Sequence, residues 1–154
     1  MIERIVSGGQ TGADRAALDF AIAAGVPHGG WCLEGRLAED GRIERRYQLV
    51  ETPDPNYAQR TEWNARDSDG TVIFSLAEQL TGGSALTLEL ARRHGRPVLC
   101  LSRESSSAEA AAEALRSFIT EHRLRTLNVA GPRASNEPEV AGFVKAVLSA
   151  ALLD

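Results

Sequence analysis

The sequence predicts an α/β fold, a Rossmann-like three-layer sandwich with a mainly parallel sheet and helices on both faces. Short apolar runs of strand length alternate along the 154 residues with segments whose apolar positions recur at helical spacing, an order typical of parallel sheets. Three runs lead into a glycine-containing turn and then a helix, at residues 7–15, 81–84 and 129–136. Because ligands bind outside the carboxyl ends of such strands, we expect the three turns to form one site.

Each expected element has a local signal. Strands are runs of β-branched and other apolar residues bounded by turn residues. Helices carry apolar side chains at i, i+3, i+4 and i+7, with Ser84 as an N-cap, Gly25 and Gly95 as C-caps and Pro138 in a first turn. In chain order we expect a strand at 2–6, a helix at 13–24, a short strand at 47–51 within an irregular segment 26–52, a helix from 56 or 57 to 66, a strand at 71–74, a helix at 84–94, a strand at 98–101, a helix at 108–122, a strand at 125–129 and a helix from 137 to 151.

Length and composition are those of one globular domain over residues 1–154. Hydrophobic residues make up 43% and charged residues 25%, which excludes disordered and fibrous classes. The net charge of −4 argues against a nucleic-acid partner, because such a surface needs clustered positive charge. The N-terminus lacks a signal-peptide pattern, and no apolar stretch approaches the ~20 residues of a membrane span. We therefore expect a cytoplasmic protein with no membrane partner.

The first glycine turn has the composition of an anion-binding loop. Its glycines permit positive φ and let a ligand approach the backbone, and N–H groups at the start of the next helix favour negative charge. Its spacing fits neither a P-loop nor the dinucleotide fingerprint. The candidate ligand-binding residues of this turn are Gly8, Gly9, Gln10, Thr11, Gly12 and Asp14.

Asp14 has two interpretations. It lies three residues after Thr11, the spacing of a capping box, and can therefore be a structural cap. A carboxylate repels a phosphate, so a ligand-binding Asp14 would instead hold a ribose hydroxyl, a base or a cation.

The other candidates come from the second and third turns and from the helix at 56–66. The second turn has no charged side chain, so its contacts would come from N–H groups and hydroxyls. The third turn adds an arginine suited to phosphate. On the helix, Arg60 and Asn64 are four residues apart and share a face, which can also be an ordinary solvent-exposed face. Trp63 beside them is expected in the core rather than as a stacking surface for a ligand. These candidates are Arg60, Asn64, Thr81, Gly82, Gly83, Ser84, Thr87, Gly131, Pro132 and Arg133.

Metal ligation and nucleophilic catalysis have little support in the sequence. His28 and Cys32 are four residues apart, but no second Cys or His pair completes a metal shell. His94 and His122 lie near expected helix C-termini, where a histidine is often a cap or dipole partner. We therefore expect no metal site, and a site built for binding rather than for attack by a nucleophile.

Several motifs together carry a family resemblance. They are Ser-Gly-Gly-Gln-Thr-Gly-Ala-Asp at 7–14, Gly-Gly-Trp at 29–31, Glu-Asp-Gly-Arg-Ile at 39–43, Arg-Thr at 60–61, Asn64, Asp69, Gly-Gly-Ser at 82–84 and Leu-Asn-Val-Ala-Gly-Pro-Arg at 127–133. With this set the chain resembles the proteins named as molybdenum carriers, a circularly permuted branch of the Rossmann-like SLOG superfamily. The resemblance implies a homo-oligomer that binds the molybdenum cofactor, a pterin with a phosphate and a dithiolene-bound metal. It would store this ligand or pass it to molybdoenzymes or cofactor-synthesis proteins.

The superfamily leaves other functions open. It equally permits a nucleotide sensor, and a separate, non-enzymatic interpretation makes the chain an interaction module in a larger pathway. Lonely Guy-type phosphoribohydrolases, which release a base from a nucleoside monophosphate, carry Pro-Gly-Gly-x-Gly-Thr-x-x-Glu; here residues 81–89 keep two glycines and Glu89 but lack the proline and the third glycine. An N-glycosidase would use Glu89 or Asp14 as the acid that assists departure of the base.

Overall fold

The computed structural model describes residues 1–153, which form a central sheet, two small two-stranded sheets and five α-helices. In chain order the elements are β1 (Arg4–Val6), α1 (Ala13–Ala24), β2 (His28–Gly29), β3 (Trp31–Cys32), a 3-10 turn (Glu34–Arg36), β4 (Leu37–Ala38), β5 (Gly41–Arg42), β6 (Val50–Glu51), α2 (Tyr57–Arg66), β7 (Gly70–Ser75), α3 (Gly82–Arg93), β8 (Val98–Ser102), α4 (Ala108–His122), β9 (Thr126–Ala130) and α5 (Val140–Leu152).

Five parallel strands form the central sheet in the order β2-β1-β9-β7-β8. The last strand in the chain, β9, lies between β1 and β7, so that Leu127 pairs with Ile5 on one side and with Gly70 on the other. The turns that follow β1, β9 and β7 are consequently neighbours at one edge of the sheet. This order explains how segments more than 100 residues apart in sequence meet in one place.

Helices cover both faces of the sheet. All six residues of β7 are buried, as in a strand that is covered on both sides. The helix α3 packs on β7 and β8 with α2 beside it, whereas α5 packs on the other face of β7 together with α1 and α4. The prediction of a Rossmann-like sandwich with a parallel sheet is confirmed. Within residues 1–153, no helix has the length and hydropathy to cross a membrane.

The segment between α1 and α2 folds around its own small core. Leu18, Cys32, Ile43 and Tyr47 are buried together there. The guanidinium of Arg36 donates to the carbonyls of four residues that follow it, namely Ile43, Glu44, Tyr47 and Leu49. The carbonyls of Tyr47 and Leu49 bind this side chain instead of a neighbouring strand, and the strand expected at 47–51 is reduced to β6, which pairs with β3.

Two helices begin at positions that differ from the prediction. The helix α3 begins at Gly82 with Thr81 as N-cap, so the prediction of Ser84 as N-cap was wrong; Gly82 has φ 52°, which turns the chain before Ser84. The helix α5 begins at Val140 rather than at 137. There the N–H groups of Asn136 and Glu137 fold back onto the Arg133 carbonyl and make a separate turn.

Candidate functional site

The strands β1, β9 and β7 end at a cavity of about 430 Å³, a size typical of small-molecule sites. The three glycine turns and residues of α2 form its walls. The sequence candidates that line it are Gly8, Gln10, Asp14, Arg60, Asn64, Thr81, Gly82, Gly83, Ser84, Thr87, Gly131, Pro132 and Arg133. Gly9, Thr11 and Gly12 belong to the first turn but do not line the cavity.

Four N–H groups of the first turn, those of Gly9, Gln10, Thr11 and Ala13, donate to acceptors within the protein. The Gln10 N–H donates to Asp14 Oδ2 at 3.3 Å, and the Thr11 N–H donates to Gln10 Oε1 at 3.0 Å. At the start of α1, the Ala13 N–H donates to the Pro132 carbonyl at 3.2 Å. The expectation that this helix N-terminus points its N–H groups at a ligand was therefore wrong for Ala13, because the third turn already occupies that position.

Gly12 allows the first and third turns to touch. It has φ 83°, and a Cβ at this position would overlap the Pro132 carbonyl oxygen and lie 2.8 Å from the Ala134 nitrogen. Gly131 plays a similar role, since a Cβ there would lie 2.6 Å from both Ala13 Cβ and the Phe74 carbonyl oxygen. These glycines let one protein segment approach another.

Glu39, in the turn between β4 and β5, connects the first and third turns by hydrogen bonds. Its carboxylate accepts hydrogen bonds from the Thr11 hydroxyl, from the Ser135 N–H at 3.1 Å and from the Ser135 hydroxyl at 2.5 Å. The hydrogen bonds from Ser135 and Thr11 lower the pKa of Glu39 below its ordinary 4.5. Next to it, Asp40 forms an ion pair with Arg15, whose guanidinium also donates to the Gly9 carbonyl.

Asp14 and Arg60 form a buried ion pair in the cavity wall. Arg60 Nη1 lies 3.2 Å from Asp14 Oδ2, and the two side chains are 9% and 11% exposed, respectively. Burial raises the pKa of Asp14 above its ordinary 3.8, and the Arg60 charge and the Gln10 N–H oppose that rise. A Cβ at Gly8 would overlap Arg60 Nη1, so Gly8 leaves the space that the guanidinium occupies.

The turn that opens α3 differs from the first turn because three successive N–H groups in it are free. No side chain caps the helix, and within residues 1–153 the N–H groups of Gly82, Gly83 and Ser84 donate to no protein acceptor. Gly82, Gly83 and Ser84 all line the cavity. Unpaired N–H groups in a first helical turn, together with the helix dipole, favour an anion.

Arg133 supplies a positive charge to the same cavity. Its side chain makes no hydrogen bond or ion pair with any other residue of the described range, although its charge helps to lower the pKa of Glu39. By contrast, Asn64 is used structurally: its amide exchanges two hydrogen bonds of 2.8 and 2.9 Å with the backbone of Trp31. Trp63 is half-buried against Trp31, with ring centroids 4.8 Å apart.

Comparisons with known proteins bear on the family and the fold of the chain. Residues 5–152 match the model of the circularly permutated YpsA SLOG family. The chain belongs to this family. A crystal structure of a protein from Syntrophus aciditrophicus SB, named "Putative molybdenum carrier protein", is 48% identical and superposes with a TM-score of 0.96, over 98% of this chain and 95% of that one. A search of curated proteins found no match.

Glu89 does not belong to the cavity of this SLOG-family protein. Its carboxylate lies on the exposed face of α3 and pairs with Arg93 at 2.8 Å, one helical turn further on. The helix turns Glu89 away because Ser84 and Thr87 on the same helix face the cavity. The suggestion that Glu89 assists departure of a base therefore has no geometric support.

Some residues of the site were missed from the sequence. Tyr57 lines the cavity from the first turn of α2, and Glu137 lines it while accepting the N–H groups of Leu76 and Ala77. Asn128, inside β9, lines it and donates to Thr71 Oγ1 at 3.1 Å. An asparagine inside an apolar strand was the one available signal; Tyr57 and Glu137 stood in ordinary helix-start positions.

The cavity is lined by hydroxyl, carboxylate, amide and guanidinium groups, and no thiol or imidazole of the described residues lines it. Among the described residues, no group of three or more His, Cys, Asp or Glu side chains is arranged to hold a metal ion. Cys32 is buried in the small core between α1 and α2, and Cys100 is exposed on β8. Neither cysteine lines the cavity.

Proposed function

We propose that the protein binds and carries a small molecule with a phosphate or similar oxoanion, and that the molybdenum cofactor is the leading candidate. The observation that supports this most directly is the meeting of three free N–H groups, at Gly82, Gly83 and Ser84, with the unpaired guanidinium of Arg133 in one cavity of the described chain. Free donors and a cation together stabilise an oxoanion by charge-assisted hydrogen bonds.

The molybdenum cofactor fits these groups in two ways. Its phosphate suits the α3 turn and Arg133, and its pterin ring offers N–H groups to Asp14, which a bare phosphate does not. The name of the Syntrophus protein supports this choice. Since neither cysteine of the chain lines the cavity, we propose that the protein holds the cofactor through its phosphate and ring and leaves the metal without a thiolate from this chain.

A carrier role also has consequences outside the cavity. We propose that the whole chain acts as one ligand-binding domain in a homo-oligomer, and that it meets molybdoenzymes or cofactor-synthesis proteins only transiently. Sedimentation of the purified protein with and without ligand measures the first point. The structure does not favour hydrolysis, because Glu89 lies outside the cavity. If the protein nevertheless released the base from nucleoside monophosphates, a pure binding role would be contradicted.

The ligand is tested by mass spectrometry of small molecules extracted from the native protein, followed by calorimetric titration with molybdenum cofactor, nucleotides and inorganic phosphate. Arg133→Ala is expected to lower the affinity for the ligand by about tenfold or more, because it removes a charged hydrogen-bond partner worth roughly 1.5–3 kcal/mol. Arg45→Ala is the matched control, since Arg45 is exposed, lies outside the cavity and makes no side-chain bond within the described residues. Absence of affinity for every phosphorylated ligand would refute the proposal.

A further inference from the structure

One part of the cavity has chemistry that an oxoanion does not need. Asp14, Arg60 and Tyr57 line this part of the cavity together. The carboxylate of Asp14 would repel an oxoanion placed next to it. An oxoanion at the α3 turn therefore leaves these three side chains without a partner in the ligand. Their arrangement suits a second chemical group.

Asp14 has an acceptor to spare. Its Oδ2 receives the Gln10 N–H and Arg60 Nη1, at 3.3 and 3.2 Å, whereas its Oδ1 receives no hydrogen bond within residues 1–153. The side chain is only 9% exposed. The Oδ1 atom keeps both of its acceptor sites, enough for two adjacent donors. Covering it with a ligand that brings no donor is costly, so the group that reaches it from the cavity should carry N–H or O–H donors.

Arg60, in turn, has donors to spare. It uses Nη1 for Asp14, while its Nε is buried without a partner and its Nη2 makes no bond to any described residue. An acceptor next to the ligand's donor group would therefore meet a guanidinium. The pair presents acceptor and donor side by side.

Tyr57 connects this pair to the α3 turn. Arg60 Cζ lies 5.7 Å from the centre of the Tyr57 ring, and the ring carbon Cε2 lies 3.8 Å from the position of a Cβ at Gly83. The tyrosine is 38% exposed although it borders a cavity. A tyrosine with this exposure offers ring surface on which a planar ligand can stack.

We infer that Asp14, Arg60 and Tyr57 form a subsite for a planar heterocycle with two adjacent N–H donors beside a carbonyl. This inference rests on the proposed function, in which the α3 turn holds the oxoanion of the same ligand. The 2-amino-4-oxopyrimidine unit shared by guanine and pterins has this edge. Adenine offers one amino group beside an acceptor nitrogen and matches the carboxylate less well.

The first test compares ligands on the wild-type protein. Calorimetric titrations use guanosine monophosphate, adenosine monophosphate, xanthosine monophosphate, neopterin monophosphate and inorganic phosphate. The guanine and pterin compounds are expected to bind about tenfold or more tightly than the adenine and xanthine compounds, since unmatched buried polar groups are strongly rejected. The two arms, guanine and pterin, identify which source of the shared ring is preferred.

The second test changes the subsite. Asp14→Asn presents an amide donor beside its acceptor, so the preference for guanosine over xanthosine monophosphate is expected to invert, because xanthine has a carbonyl in place of the amino group. Tyr57→Leu is expected to lower the affinity for guanosine and neopterin monophosphates by about tenfold and to leave the affinity for inorganic phosphate unchanged. Tyr57→Phe keeps the ring and should retain the wild-type affinity.

The outcomes separate this inference from the function on which it rests. If no phosphorylated compound binds, the proposed function fails and the subsite fails with it. If every monophosphate binds equally well and Asp14→Asn inverts nothing, the subsite is refuted while the oxoanion site stands. If Asp14→Asn does not fold, the Tyr57→Leu and Tyr57→Phe pair decides: equal ring-ligand affinities in both variants would overturn the inference.

Discussion

The turn after β1 and the turn that opens α3 look alike in sequence, since both place glycines between a strand and a helix. In the structure the first turn packs closely against other protein segments: a Cβ at Gly12 would overlap the Pro132 carbonyl oxygen, and Glu39 accepts hydrogen bonds from Thr11 of this turn and from Ser135 of the third turn. The second is open, because a Cβ at Gly83 would meet only Tyr57, at 3.8 Å, among the described residues. Glycine in one turn makes room for protein, and in the other it leaves N–H groups free for a ligand.

The largest expected effect follows from adding a methyl group to the first turn. Gly12→Ala places Cβ against backbone atoms of Pro132, Arg133 and Ala134 at a φ of 83°. We expect a loss of about 2–4 kcal/mol in the free energy of unfolding, from steric overlap and left-handed strain together. Urea denaturation measures it.

The control isolates the steric part of that loss. Gly25, the C-cap of α1, has φ 70°, and no atom of the described residues lies within 4 Å of the position that a Cβ would take there. Gly25→Ala should therefore cost only the left-handed strain, roughly 1–2 kcal/mol. Equal losses at Gly12 and Gly25 would mean that the close approach of the first and third turns contributes nothing.

A smaller effect is expected from Glu39, which braces the first turn but is exposed. Because its folded-state pKa is lowered, its contribution to stability is present above its ordinary pKa of 4.5 and is lost as the pH falls through the lowered value. Glu39→Gln should be less stable than wild type at pH 7 and should lose less stability on acidification below pH 4.5. Denaturation curves at neutral and acidic pH measure both; parallel pH profiles in the two proteins would contradict this role.

Much of the fold could be predicted because its signals are local. Apolar periodicity marks the helices, and alternation of strands and helices marks the parallel sheet. The segment between α1 and α2 could not be predicted, because Arg36 organises it through the carbonyls of residues up to 13 positions away. A single sequence does not reveal which carbonyls an arginine will bind.

The position of the site could be predicted from the sequence, but which of its turns offers free N–H groups to a ligand could not. The glycines locate the three turns, yet the bond between Glu39 and Ser135 spans 96 residues, and no local pattern indicates it. For the same reason the sequence favours the first turn as the main anion loop, while the run of three free N–H groups that meets Arg133 in the cavity lies at the start of α3. Tyr57 was missed because exposure at a cavity is a property of the fold.

The contrast between the two turns is tested most directly at one position of the open turn. Gly83→Pro removes an N–H group at a first-turn position that tolerates proline, whereas Gly83→Ala keeps the N–H and adds a methyl group in ordinary contact with Tyr57. Both variants are titrated with guanosine monophosphate and inorganic phosphate, and their folding is checked by thermal melting. We predict near wild-type affinity for Gly83→Ala and about tenfold or more weaker binding for Gly83→Pro. Equal affinities in two folded variants would show that the α3 turn does not hold the oxoanion.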